Sequence, residues 1–136
     1  MSLAEKIKII DRQILLDDRG WFLKVMNGFE EKLPNRMGEI YLTMASPGER
    51  RANHYHIITS EWFTINTGQV KIILEDIVSK ERLELFMDAG DPKTLFVPPG
   101  IAHIFINESR DKEMMLLAYA ENTYDPADTC LYNLID

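Results

Sequence analysis

Short runs of apolar and β-branched residues, separated by turn-forming clusters, follow one another along most of this chain. The runs recur at intervals of roughly 8–12 residues, which is typical of a β-sandwich or a β-barrel. The pattern predicts strands over 7–16, 21–26, 39–45, 51–57, 61–65, 69–77, 82–87, 95–97, 102–107 and 113–119. We therefore expect an all-β fold.

Turn signals lie between these runs. The cluster Asp17-Asp18-Arg19-Gly20 predicts a turn after which 21–26 pairs back as a hairpin. Thr67-Gly68 predicts a second hairpin, between 61–65 and 69–77. The tail over 121–136 carries mixed signals that fit either a short helix or an extended segment.

The run 51–57 contains two of the three histidines of the chain. Because side chains alternate along a strand, His54 and His56 are expected on one face of the sheet. Glu61 follows five residues after His56, and His103 comes from a distant strand. Three imidazoles and one carboxylate form a ligand set that suits zinc, iron, manganese, nickel or copper. The four residues are therefore candidate metal ligands.

Two longer motifs contain these ligands. They read Gly48-x5-His54-x-His56-x4-Glu61-x6-Gly68 and Pro98-x-Gly100-x2-His103-x3-Asn107. Both resemble the signature motifs of the cupin superfamily. The resemblance implies one cupin domain over 1–136, folded as a double-stranded β-helix, or jelly roll. It also implies one divalent transition metal, with zinc first and nickel, manganese or iron open. Cupins commonly pair, so a homodimer that exchanges its N-terminal strands is expected.

Other segments resemble one cupin branch, the dTDP-4-dehydrorhamnose 3,5-epimerases and their sugar-nucleotide ketoisomerase relatives. Asp18-Arg19-Gly20-Trp21-Phe22 is similar to a D-x-R-G-F-F-type segment, and Arg51-Ala52-Asn53-His54-Tyr55-His56 to R-G-N-H-x-H. Tyr124-Asp125-Pro126-Ala127-Asp128 is similar to a Y-x-P-x-D tail segment. The resemblance implies a phosphate contact for Arg19, often across a dimer interface, and a place for Arg51 near the sugar or diphosphate. It implies that His54 is the general base.

The chain departs from the epimerase pattern at three functional positions, one of which is Lys24, where the epimerases have an acidic residue. Glu61 stands where the epimerases have a catalytic Lys, and Ala118 where they have a catalytic Tyr, with Tyr119 directly after it. We take Tyr119 as the candidate proton-transfer residue, with Tyr41 and Tyr55 as open alternatives. The segment from Asn53 to Phe63 is also similar to the zinc-binding cupin domain at the C-terminal end of capsular polysaccharide sugar reductases.

The composition of the chain limits the kinds of partner and compartment that we expect. A formal net charge of −7 argues against nucleic acid or an anionic membrane as a partner. No apolar run approaches the ~18 residues of a membrane span. The single cysteine, Cys130, excludes an intrachain disulfide and favours the cytoplasm.

These observations support one leading hypothesis: an epimerase or isomerase of a nucleotide-linked keto-sugar in surface polysaccharide biosynthesis. The metal would polarise the 4-keto group, and Arg19 and Arg51 would hold the diphosphate of this small-molecule substrate. Two alternatives stay open. One is a non-catalytic metal-binding cupin that binds a small ligand or supports a partner enzyme. The other is an Fe(II)-dependent dioxygenase.

Overall fold

The computed structural model of the protein describes residues 1–135 and is built almost entirely of β-strands. A short helix, α1 (Leu3–Lys6), is capped by Ser2 and Glu5 and precedes the first strand. The strands are β1 (Lys8–Asp11), β2 (Ile14–Asp17), β3 (Gly20–Leu23), β4 (Glu39–Ala45), β5 (Arg50–His56), β6 (Glu61–Thr67), β7 (Gln69–Asp76), β8 (Arg82–Asp88), β9 (Lys93–Val97), β10 (Ile101–Ile106), β11 (Met114–Ala120) and β12 (Thr129–Leu131). A single 3₁₀ turn (Pro126–Asp128) leads into β12.

Over residues 1–135, the strands form two five-stranded antiparallel sheets and one separate hairpin. The first sheet has the order β1-β9-β6-β11-β4, and the second has the order β12-β5-β10-β7-β8. The hairpin consists of β2 and β3. The two larger sheets enclose the hydrophobic core, so the expectation of an all-β jelly roll is confirmed.

Alternation along the strands selects the core side chains. On β11, every second residue from Met114 to Ala120 is buried, while the residues between them are partly exposed. Aromatic rings of β6 and β10 meet inside the barrel, with the centroids of Phe63 and Phe105 4.7 Å apart. The inner faces of both sheets therefore fill the middle of the barrel with apolar side chains.

Two sequence expectations differ from the structure. The single strand predicted over 7–16 is divided into β1 and β2 at Arg12, whose guanidinium is buried in an ion pair with Glu30 and a hydrogen bond to Thr94. The hairpin predicted at Thr67-Gly68 is wrong, because β6 pairs with β9 and β11 while β7 pairs with β8 and β10. The chain passes from one sheet to the other at Gly68.

A β-bulge interrupts the pairing of β5 with β10. His54 lies opposite His103, but the next residue of β10 lies opposite Ala52, so Asn53 is the extra residue. Ala52 and Asn53 both adopt left-handed backbone conformations, with φ of 71° and 70°. Such bulges bend a strand and re-aim the side chains beside it.

No helix within residues 1–135 has the length and apolar character needed to cross a membrane.

Candidate metal centre

Four side chains from three strands converge at one end of the barrel. His54 and His56 point inward from β5, and His103 points inward from the neighbouring strand β10. Glu61 is the first residue of β6 in the facing sheet. One donor atom from each residue can be chosen so that all four lie within 4.8 Å of one another. The fold therefore brings together the four residues that the sequence spacing singles out.

The donor atoms are close together but poorly satisfied as hydrogen-bonding groups. The Nε2 atom of His56 lies 2.7 Å from Oε1 of Glu61, and Nε2 of His103 lies 3.5 Å from the same oxygen. Within the described residues 1–135, these three buried atoms make no aligned hydrogen bond. Glu61 and His103 are only 3% and 1% exposed. Because buried polar atoms in proteins are almost always paired, their common lack of partners indicates a missing ligand between them.

A metal ion fits this arrangement. Metal–nitrogen and metal–oxygen bonds of about 2.0–2.2 Å place donors on opposite sides of an ion roughly 4–4.4 Å apart. All four donor atoms lie within 4.8 Å of one another, so small side-chain rotations bring every pair into this range. Nitrogen and oxygen donors of this kind suit zinc, iron, nickel or manganese.

Outer contacts orient two of the ligands. The Nδ1 atom of His103 lies 3.0 Å from the carbonyl oxygen of Ile101, so Nδ1 carries the proton and Nε2 presents its lone pair to the centre. Tyr41 on β4 donates its hydroxyl to Oε2 of Glu61 at 2.9 Å, which leaves Oε1 directed at the histidines. These contacts are the kind that hold metal ligands in a fixed geometry.

The close packing of these side chains shifts their pKa values. Burial lowers the pKa of His54 to about 4, and positive charge on His103 or His56 acts in the same direction. Burial by itself raises the pKa of Glu61, but His103 and His56 outweigh it and hold that pKa well below its usual range. Burial by itself lowers the pKa of His56, but Glu61 outweighs it, so the pKa of His56 is raised. Near pH 7, His54 is therefore neutral and Glu61 ionised, as metal ligands must be.

The two arginines singled out from the sequence lie outside this cluster within one chain. Arg51 is exposed on β5 and donates from Nε to the carbonyl oxygen of Met44 at 2.7 Å. Arg19 is exposed at the tip of the β2–β3 hairpin, where it pairs with Asp17 at 2.7 Å. Neither side chain lines the cavity beside the histidines.

Of the candidate tyrosines, the structure brings Tyr41 to the cluster and not Tyr119. Tyr119 lies on the outer face of its sheet, packs against Trp62 at 5.9 Å between ring centroids and donates to the carbonyl oxygen of Arg36. The preceding residue, Ala118, is fully buried on the inner face. Alternation along β11 explains the difference, because a shift of one residue moves a side chain to the opposite face. Burial, followed by the charge of Glu61, raises the pKa of Tyr41, so its hydroxyl keeps its proton.

A small cavity of about 110 Å³ opens next to the cluster. Its walls include His54, His56 and Glu61 on one side and the tail residues Tyr124, Asp125 and Asp128 on the other. The lining carries several carboxylates and no Lys or Arg within the described part of the chain. The space admits a small polar group next to the ligands, but a diphosphate would lie outside it.

Residues 15–132 match the family described as "Polysaccharide biosynthesis C-terminal domain". The match covers most of the chain. The chain belongs to this family. A curated relative is the spore coat polysaccharide biosynthesis protein SpsL of Bacillus subtilis (strain 168), which is 27% identical over 92 residues. That alignment covers 64% of this chain and 60% of SpsL.

Solved structures confirm the cupin fold of this polysaccharide biosynthesis C-terminal domain. The capsular polysaccharide assembling protein CapF of Staphylococcus aureus aligns with a TM-score of 0.67 and 23% identity, over 90% of this chain and 34% of CapF. NovW of Streptomyces spheroides, a 4-keto-6-deoxy sugar epimerase, aligns with a TM-score of 0.80 and 23% identity, over 92% of this chain and 68% of NovW. The chain thus spans about a third of CapF and about 60% of SpsL.

Proposed function

We propose that this chain is a metal-dependent epimerase or isomerase of a nucleotide-linked keto-sugar, acting as one cupin domain in polysaccharide biosynthesis. The observation that carries the proposal is that four side chains converge: His54, His56, Glu61 and His103. Three of the atoms that would bind the metal are buried and have no hydrogen-bond partner within residues 1–135. Membership of the polysaccharide biosynthesis C-terminal domain family and the relationship to SpsL support the pathway. The fold shared with NovW supports the class of reaction.

The four ligands would hold one divalent metal, for which zinc is our first candidate and nickel, manganese and iron are the others. When bound there, the metal would supply Lewis-acid polarisation of the keto oxygen of a sugar. His54 is neutral near pH 7, because its pKa is about 4, so its lone pair is available to the metal or, without a metal, to a substrate proton. The second role is the general-base function that the epimerase resemblance implies.

Tyr41 is the cavity residue best placed to move a proton. Its hydroxyl donates to Glu61 at 2.9 Å and faces the cavity beside the histidines. Its raised pKa keeps the Tyr41 hydroxyl protonated, so it is present as a hydrogen-bond donor to an oxygen on which negative charge develops, and it can transfer its proton once that atom becomes the stronger base. Epimerisation next to the keto group removes a proton from a carbon and returns one to the opposite face of that carbon, whereas isomerisation returns it to a different atom. We assign the return step to Tyr41 rather than Tyr119.

We also propose a homodimer that brings Arg19 to the substrate. The β2–β3 hairpin does not join either large sheet, and its apolar side chains are exposed, including Leu16 at 79% and Trp21 at 61%. Strand β4 is an edge of the first sheet and also exposes Ile40 and Leu42. Pairing of the hairpin with the β4 edge of a second copy would cover both apolar surfaces. The single cysteine supports a reducing compartment, so we place the protein in the cytoplasm.

The decisive experiment follows solvent hydrogen into the sugar. Metal-loaded protein is incubated in D₂O with dTDP- and UDP-linked 4-keto hexoses, and deuterium incorporation is measured by NMR and mass spectrometry. We expect incorporation with at least one substrate and its loss in the His103→Ala variant. Absence of incorporation with every substrate, at full metal occupancy, would contradict the proposed reaction.

The size of the cavity favours a second candidate, a non-catalytic domain that supports a partner enzyme. About 110 Å³ holds only a few water molecules, so the cavity encloses part of a hexose and the rest of the sugar would lie outside it. In this case, metal would bind and nucleotide sugars would raise the thermal unfolding temperature, but no deuterium would enter the sugar. The same D₂O experiment therefore separates the two candidates.

A further inference from the structure

The tail motif Tyr124-Asp125-Pro126-Ala127-Asp128 contains a buried carboxylate that the proposed reaction does not use. Asp128 ends the 3₁₀ turn and is only 7% exposed. Its Oδ1 atom accepts hydrogen bonds from the backbone N–H groups of Ile57 and Ile58 at 2.8 and 2.7 Å. Its Oδ2 atom accepts the hydroxyl of Thr59. A carboxylate of the tail thus binds the three residues that directly follow the ligand His56.

The hydrogen bonds to Asp128 hold the segment after β5, which has little side-chain packing of its own. The side chains of Ile57 and Ile58 are both more than half exposed, so they do not anchor the segment through the core. On the other side of the turn, β12 pairs with β5 and places Thr129 opposite His56. The end of the ligand strand is therefore held by the tail through both backbone and side-chain contacts.

The same tail residues face the outer nitrogen of His56. Oδ2 of Asp128 lies 3.9 Å from Nδ1 of His56, and the hydroxyl oxygen of Thr129 lies 3.4 Å from that nitrogen. The Thr129 hydroxyl donates to the carbonyl oxygen of Asp125 at 3.3 Å, so its lone pairs remain free to accept from Nδ1. Nδ1 thus faces two acceptors of the tail, and Nε2, which lies 2.7 Å from Oε1 of Glu61, is directed at the cluster.

We infer that Asp128 is a positioning residue for the metal centre, which clamps the segment after His56 and, together with Thr129, holds its imidazole so that Nε2 is directed at the metal. The inference rests on the proposed metal site. It gives the tail motif a role without requiring Asp128 to touch the metal or the substrate.

The test compares metal affinity and ligand geometry in two matched variants. Asp128→Asn keeps the shape of the side chain and an acceptor for the two backbone N–H groups, but removes the negative charge next to Nδ1. Asp76→Asn is the control, because Asp76 is also buried and accepts backbone N–H groups, from Val78 and Ser79, but its nearby charged partner is Lys6 and not a histidine. Affinity is measured with Co²⁺ and Zn²⁺ by competition with a chromophoric chelator, and the Co²⁺ absorption spectrum reports ligand geometry.

We expect Asp128→Asn to weaken Zn²⁺ and Co²⁺ binding by about ten- to a hundred-fold, and to change the Co²⁺ spectrum. Asp76→Asn should bind metal within about twofold of the unchanged protein, whatever its effect on unfolding. Thr129→Val, which keeps the clamp but removes the hydroxyl, should weaken metal binding by a smaller factor, and it serves as the test variant if Asp128→Asn does not fold. Unchanged affinity and spectrum in the folded Asp128 or Thr129 variant would overturn the inference.

Metal binding by the unchanged protein separates this inference from the metal hypothesis. If the unchanged protein binds neither Zn²⁺ nor Co²⁺, the proposed metal site itself is contradicted. If the unchanged protein binds metal and the Asp128 and Thr129 variants bind it equally well, only the role of Asp128 is overturned.

Discussion

The interior of the barrel has an apolar half and a polar half, and strands β6 and β10 contribute to both. On β6, the inward side chains run from Glu61 to Phe63, and on β10 from His103 to Phe105. The rings of Phe63 and His103 meet at the boundary, 5.4 Å apart between centroids. In the apolar half, burial of the aromatic rings stabilises the fold. In the polar half, burial leaves three polar atoms of the candidate ligands without hydrogen-bond partners among the described residues, which costs free energy. One half therefore stabilises the fold, and the other depends on a ligand.

Truncation of the apolar half should produce the largest effect on stability. Phe105→Ala removes a fully buried ring and leaves a cavity, so we expect a loss of about 3–5 kcal/mol in the free energy of unfolding. Urea unfolding of the metal-free protein measures this loss. The folded variant should still bind one metal ion, and loss of metal binding would show that the two halves are not separable.

Metal should stabilise the polar half. At a free concentration about a hundred times the dissociation constant, Zn²⁺ should raise the free energy of unfolding by about 2.7 kcal/mol. The His103→Ala variant should show no such increase. Thermal unfolding with and without Zn²⁺, after chelator treatment, measures the effect. Equal stabilisation of both proteins would place the metal elsewhere.

The stabilisation by Zn²⁺ should decrease as the pH falls. The pKa of His56 is raised and that of His54 is lowered, so His56 takes up a proton before His54 as the pH falls. Its protonated ring cannot bind metal, and the Zn²⁺-dependent increase should therefore disappear on acidification while persisting at higher pH. A Zn²⁺ effect that stays constant from neutral pH down to about pH 5 would contradict the assignment of His56 as a ligand.

Tyr41→Phe changes a residue at the edge of the polar half and should have a smaller effect on stability. Loss of a hydrogen bond to an ionised carboxylate at a partly exposed site should cost about 1.5 kcal/mol of stability. Deuterium incorporation into the sugar should fall while metal binding persists. Tyr119→Phe is the comparison, because its hydroxyl bonds to Arg36 on the outer face. If Tyr119→Phe slows incorporation and Tyr41→Phe does not, our assignment of the proton-transfer residue is wrong.

The smallest expected effect lies in the bulge beside His54. Ala52 has a φ of 71°, which costs an L-residue roughly 1–2 kcal/mol, and the related ketoisomerase segment has glycine there. Ala52→Gly removes this strain but adds entropy to the unfolded chain, so we expect a net gain of up to about 1 kcal/mol. A loss of stability in urea unfolding would mean that the methyl group of Ala52 contributes more to core packing than its backbone strain costs.

Spacing in the sequence was sufficient to predict that the four candidate ligands lie close together. His54 and His56 share a face because strands alternate, and the two motifs already associate Glu61 and His103 with them. The strand pattern likewise predicted the all-β fold and most strand positions. It failed at Thr67-Gly68, because a turn signal does not tell which sheet the next strand joins, and at Arg12, because its burial depends on Glu30 and Thr94 from other parts of the fold.

The sequence by itself determined the class of fold and the chemistry of the candidate centre, since both depend on local periodicity and on the types of residue at fixed spacing. Only the tertiary structure decided which tyrosine faces the cluster, where the arginines lie and what the tail does. Each of these depends on register or on long-range pairing. Tyr41 reaches Glu61 across about twenty residues of sequence, and Asp128 reaches the segment after His56 across about seventy. Contacts between such distant residues are set by how the sheets pair and face each other, and no local pattern encodes that.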